Sequence, residues 1–148
     1  MKGRRRLKMT YHFTVHADDT GFWAECCELA GCVAQADTFP ELEKACEESL
    51  NLYLEEPSDS KVVFPLPDTS LDARSDVLSV PVEPEIALAV LLRHYRSQSK
   101  LTQKQVSELL GMKNVYSYQR LEKKSNPTIH LMKKMRRVFP EIKFDMIF

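Results

Sequence analysis

No run of apolar residues in this 148-residue chain approaches the ~20 needed to cross a bilayer, which excludes a membrane-spanning helix. The basic opening MKGRRRLK leads into the alternating Tyr11-His12-Phe13-Thr14-Val15-His16, so it lacks the continuous apolar core of a secretory signal. Residues 2–8 then read as an upstream extension or a disordered basic arm, with Met9 a possible start. Four cysteines, two of them adjacent, make no disulfide framework, and reduced thiols in a cytoplasm are the expectation. Cys26, Cys27 and Cys32 with His16 are the one set that zinc would suit. Neighbours on a strand point to opposite faces, however, and there is no CxxC knuckle, so no metal and no cofactor is expected.

Catalytic constellations are missing too. His12, His16, His94 and His130 share no spacing with a nucleophile, and they read as surface or satisfied histidines. A metal-dependent nuclease needs carboxylates converging on two cations from several elements. Here Asp18 and Asp19 fall in a turn, and Glu25 and Glu28 belong to one hairpin. No catalytic residue is expected.

Net charge is absent only on average. The 21 basic and 21 acidic residues cancel, yet residues 9–80 hold 15 acids against Lys44, Lys61 and Arg74, a balance of −12. Residues 86–148 hold 13 bases against Glu108, Glu122, Glu141 and Asp145, a balance of +9. Such a split predicts two domains, 9–82 and 83–148, meeting different partners. The basic half suits a polyanion, and the acidic half suits a basic protein or serves solubility.

In residues 9–17, Met9, Tyr11, Phe13 and Val15 alternate with polar neighbours, the pattern of a half-buried strand. Asp18-Asp19-Thr20-Gly21 is a hairpin turn, 22–27 and 32–36 are further strands, and 28–31 turns between them. Thr38, Pro40 and Glu41 are matched start signals for a helix with the stripe Leu42, Ala45, Cys46, Ser49, Leu50 and Tyr53. Glu41, Glu43, Glu47, Glu48 and Asn51 fall on its other face, and Pro57 closes it. Residues 61–67 are apolar and proline-bound, an extended edge segment, whereas 76–82 alternates as a fourth strand. The hinge is expected at residues 81–85.

A helix from Glu85 follows, apolar too widely for one stripe, which implies burial or dimer packing. Thr102 caps the next helix, whose apolar positions are Val106, Leu109 and Leu110, and Gly111 ends it. Asn114 caps a second that buries Tyr118 and Leu121. Two short helices across a glycine turn form a helix-turn-helix or an ordinary helical hairpin. Thr128 caps a last helix with Ile129, Met132, Met135 and Val138 on one face. Its Lys133, Lys134, Arg136 and Arg137 form a solvated face or meet phosphates. In the tail, Ile142, Phe144, Met146 and Phe148 make a dimer-forming strand first and a short helix folded onto its own domain second.

The wording of residues 101–124 resembles the Cro/C1-like (Xre) helix-turn-helix of phage repressors. The matching words are Leu101-Thr102-Gln103, Val106 to Gly111, Arg120-Leu121-Glu122 and Asn126-Pro127-Thr128. One residue more than the common pattern lies between Gly111 and Arg120, and it is placed in the turn so that Tyr118 is the buried position. Residues 10–57 resemble the HicB antitoxins. The likeness is carried by Gly21-Phe22-Trp23-Ala24-Glu25-Cys26, Glu28-Leu29, Gly31-Cys32-Val33, Gln35, Asp37-Thr38 and Leu50-Asn51-Leu52-Tyr53-Leu54-Glu55. Ala30 and Ala36 depart from it, standing where that family prefers proline and glycine.

The resemblance implies an α+β chain: a β-β-β-α-β partial RNase H-like domain, then an all-α helix-turn-helix domain. It implies no enzyme but an antitoxin that binds a HicA-type ribonuclease toxin and represses its own operon as a homodimer or higher oligomer on operator DNA. Gln103 is expected on a phosphate, Asn114, Tyr116, Ser117 and Gln119 at base edges, and Lys113, Arg120, Lys123 and Lys124 nearer the backbone. Trp23, Glu25, Glu43 and Glu47 are expected to meet the toxin. The alternatives are a free-standing transcriptional regulator with a ligand-sensing N-terminal domain and a degenerate RNase H-like enzyme.

Overall fold

Period-two alternation builds a four-stranded sheet in the computed structural model, which describes residues 8–57, 59–124 and 126–148. All but Lys8 of the basic leader lies outside those residues. Strands β1 (Thr10–Asp18), β2 (Gly21–Cys26), β3 (Val33–Ala36) and β4 (Val77–Pro81) form an antiparallel sheet in the order β3-β2-β1-β4. Gly21 has a φ of +146°, and a Cβ there would lie 2.6 Å from the Ala36 carbonyl oxygen, so only glycine fits where β2 leaves the turn.

Helix α1 (Phe39–Leu54) begins where its start signals place it, with Thr38 accepting from the Glu41 amide. It lays Leu42, Cys46, Leu50 and Leu54 against the sheet face formed by Tyr11, Phe13 and Ala24, all buried. Each buried leucine contributes roughly 1.5–3 kcal/mol. Asn51 does not join the solvent face expected for it: it is 7% exposed, and its Oδ1 accepts from the Glu83 amide. That donor has no helical partner at the start of the next helix, and an amide side chain from α1 satisfies it.

Residues 61–67 run beside the sheet without pairing to it, contrary to the expected edge segment. Pro65 and Pro67 have no N–H to give to a ladder. Phe64 instead packs on Tyr53, ring centroids 5.4 Å apart, and the Tyr11 hydroxyl donates to the Pro65 carbonyl. A 3-10 turn at Thr69–Ala73 then crosses the other side of β1.

Helix α2 (Pro84–Gln98) is the buried alternative of the two foreseen: Ile86 to Arg93 are each at most 2% exposed. An all-round apolar helix has to be surrounded, and α1, the later helix at Val115–Leu121 and the tail surround it. Helices α3 (Gln103–Leu109), α4 (Val115–Leu121) and α5 (Ile129–Val138) complete the chain. Buried residues from both halves, from Met9 to Ile147, form one continuous apolar cluster. The tail is no free strand. It makes a short 3-10 turn at Phe144–Met146, buries Ile142 and Ile147, and offers the Met146 carbonyl to the Met9 amide. The tail thus takes the second form expected for it, a short helix folded onto its own chain, and not the dimer strand of the first choice, while Phe148 at its end stays 77% exposed.

Candidate functional site

Two surfaces carry the candidate residues, and local capping explains the first. Thr102 and Gln105 form a reciprocal capping box at the start of α3. Gly111, at φ +71°, turns the chain out of it. Asn114 Oδ1 then accepts from the Ser117 amide, 3.0 Å, and opens α4. Its inner side buries Tyr118 and Leu121, as the extra turn residue requires. Val106 and Leu110 are buried in α3, but Leu109 is 61% exposed. Val106, Ser107 and Leu110 are the positions turned inward, and Leu109 lies on the outer side of the helix.

Beneath α4 lies a charged network that the sequence reading missed. Glu122 has no exposed side-chain surface and accepts from Arg96 Nε at 2.6 Å and Nη2 at 3.0 Å. Gln103 Nε2 donates to the same carboxylate, 3.1 Å, while its Oε1 accepts from Gln119 Nε2, 3.1 Å. Gln103 thus spends its amide inside the protein and holds Gln119 in place. Burial pushes the Tyr118 hydroxyl well above the ordinary phenol range, the neighbouring Glu122 adding to it. Arg93, 2% exposed, donates to the carbonyls of Glu122, Ser60 and Pro57, and burial lowers its affinity for the proton.

Outward, Tyr116 and Arg120 stand one turn apart and Lys123 continues their row, with Lys113 in the turn before it; all four are exposed. Ser117 is half-buried with its hydroxyl on Asn114, and Asn114 is engaged as the cap. Lys124 leans the other way, 3.9 Å from Glu83 and 4.0 Å from Glu85. A Cβ built on Gly111 would lie 4.0 Å from Lys134 Nζ, so the basic row of α5 begins beside the α3–α4 turn.

The second surface belongs to the sheet. Strand register puts Trp23 and Glu25 on the side away from α1, opposite His16 and Thr14 of β1 and Gln35 and Val33 of β3. Trp23 stacks on His16, centroids 4.1 Å apart, and His16 Nε2 lies 3.3 Å from Glu25 Oε1. Glu43 and Glu47 are exposed on α1, which covers the opposite face. The four residues expected to meet one partner are therefore divided between two layers.

His12, outward-pointing by alternation, is fully buried. Its Nδ1 lies 2.7 Å from Glu28 and its Nε2 2.7 Å from Asp72 of the 3-10 turn. The turn that covers it lies 60 residues on, and no local pattern announces that. Asp18 holds its own turn, and the Thr20 hydroxyl and amide lower its proton affinity. Cys26 points inward and Cys27 outward. Contact with Cys32 and burial push the Cys26 thiol up, the same contact lowers Cys32, and burial takes Cys46 up to about 11. Among the described residues no group of three or more histidines, cysteines or acids is placed to hold a metal, and no helix is long and apolar enough to cross a membrane.

No protein-family model and no curated protein matches this chain. A chain of a solved structure described as a HicA3 and HicB3 toxin-antitoxin complex is similar at 23% identity, over 51% of this chain and 100% of that one, with a TM-score of 0.38. A likeness of that size defines neither the fold nor the function of this chain.

Proposed function

We propose that this chain is the antitoxin of a HicA–HicB type pair, binding and silencing an mRNA-cleaving toxin, and that it represses its own operon. The observation that carries the repressor part is the exposed row Lys113, Tyr116, Arg120 and Lys123 on a doubly capped helix-turn-helix. The buried Glu122 network braces this unit from beneath, so α4 is presented rigidly enough for a major groove. Tyr116 and Gln119 are suited to base edges, and Lys113, Arg120, Lys123 and the basic side chains of α5 to phosphates. Support for the antitoxin part comes from the residue wording of 21–55 and from the acidic balance of the first half.

Repression is by a dimer, with half-sites about 34 Å apart or a multiple of it. With the tail folded, Ile129 and Phe148, 78% and 77% exposed and next to Met132 and Phe144, offer an apolar surface for self-association. The chain itself is expected to cleave nothing: of the acids on the sheet and its turns, Glu28 is engaged by His12 and Asp18 by its own turn, which weakens the case for carboxylates converging on paired cations. The two functions divide between residues 9–82 and 83–148, in a cytoplasm.

The test is co-expression with the product of the adjacent reading frame, followed by footprinting on the upstream DNA. A stable complex and a repeated, dimer-bound footprint are expected. Absence of the complex rejects the antitoxin reading. One unrepeated site bound by a monomer rejects the dimer.

A further inference from the structure

We infer that the open face of the sheet, centred on Trp23 and Val33 and rimmed by Glu25, Asp72 and Asp76, is the docking surface for a basic protein, and that the outer face of α1 is not. The identity of that protein rests on the antitoxin reading above; the choice of face does not.

The face is left bare by the topology. α1 packs against one side of the sheet only, and the 3-10 turn covers the His12 end of the other. What stays uncovered is His16, Trp23, Glu25, Val33 and Gln35, which the strand registers bring side by side. Trp23 is 38% exposed and Val33 54%, both on strands. Stacking on His16 fixes the indole before any partner arrives, so little rotamer freedom is lost on binding. A rigid aromatic centre within a polar rim is the arrangement that concentrates binding energy.

The sign of the rim chooses the partner. Glu25, Asp72 and Asp76 have exposed or half-exposed carboxylates, and the cation beside them, Arg74, is already held by Asp76. The rim therefore presents net negative charge and repels nucleic acid, while a basic protein meets complementary potential. The outer face of α1 carries four exposed acids, Glu41, Glu43, Glu47 and Glu48, but no apolar centre. Its exposed apolar residues, Phe39 and Leu52, sit at opposite ends of the helix.

The experiment uses the full chain, with the product of the adjacent reading frame as probe, by isothermal titration at two salt concentrations. Trp23→Ala is expected to weaken binding at least about 30-fold, the loss typical of a central aromatic. Glu25→Arg should weaken binding about tenfold at low salt and less at high salt. The pair Glu43→Arg and Glu47→Arg should change affinity less than about threefold. Val33→Asp probes the same face should Trp23→Ala not fold, and thermal melts report the folding of every variant. Loss with the α1 variants and none with Trp23→Ala or Val33→Asp overturns the choice of face alone. No binding by the unaltered chain overturns the antitoxin reading and this inference with it. A change in the oligomeric state of the free chain with Trp23→Ala means the face meets a second copy, which also overturns it.

Discussion

Among the described residues, each half of the molecule has a buried carboxylate that pins it together, and the two pin different things. In the sheet half, Glu28 is 5% exposed and accepts from the His12 ring and amide and from the Asp68 amide. It fastens a connector to a sheet that is already complete. In the helical half, Glu122 is wholly buried and accepts from Arg96 and Gln103, while its own carbonyl takes Arg93. It fastens three helices to one another, and α4, with its exposed basic row, is one of them. The sheet half has a ladder to hold its strands, and its buried charge is an accessory. Short helices of seven residues have no such ladder, and their buried charge is the frame.

The comparison breaks most easily at Glu122. Glu122→Ala strands Arg96 against a buried cavity and should cost about 3–5 kcal/mol, a fall in melting temperature of roughly 10 °C. DNA affinity should fall with it, because α4 loses its brace. A melt shifted by less than about 3 °C would show that apolar packing alone holds the helices. Glu28→Ala should cost less, about 1–3 kcal/mol, since Asp72 stays beside His12 and the sheet pairing is untouched. Amide hydrogen exchange checks the distinction: the loss of protection should be confined to residues 66–73 and should spare β1 and β2. Global loss would mean that the connector, too, is part of the frame. Leu109→Ala is the smallest effect, within about 0.5 kcal/mol, because the side chain is already in water.

What could be read in the sequence was whatever is decided within a turn or two. Thr38, Thr102, Asn114 and Thr128 each accept from an amide three residues on, and all four caps follow from residue type and spacing. The alternation in residues 9–17 and 76–82 gave strands, since period two leaves no other regular structure. What escaped was decided at a distance. Asn51 is buried because it meets Glu83, 32 residues away, and His12 because it meets Asp72, 60 away. Glu122 closes the Arg-Leu-Glu word at the end of α4, yet spacing alone does not show that Arg96 lies 2.6 Å from it. The first choice for the tail fails for the same reason and the second, a short helix folded back, is the one found, with Met9 at the other end of the chain as its partner. For the candidate sites, α4 could be read as one surface because its residues share a helix. Trp23, Glu25, Glu43 and Glu47 could not, because the sheet lies between them.

The proposed function assigns DNA and a toxin to opposite halves. Its most direct test is one variant, Arg120→Ala with Lys123→Ala, titrated against both ligands. Operator affinity should fall, and the slope of log K against log salt should flatten by about 1.8, or about 0.9 for each phosphate that the variant no longer neutralises. Affinity for the toxin should not change. An unchanged salt slope, or a toxin affinity that falls together with DNA binding, would contradict the division.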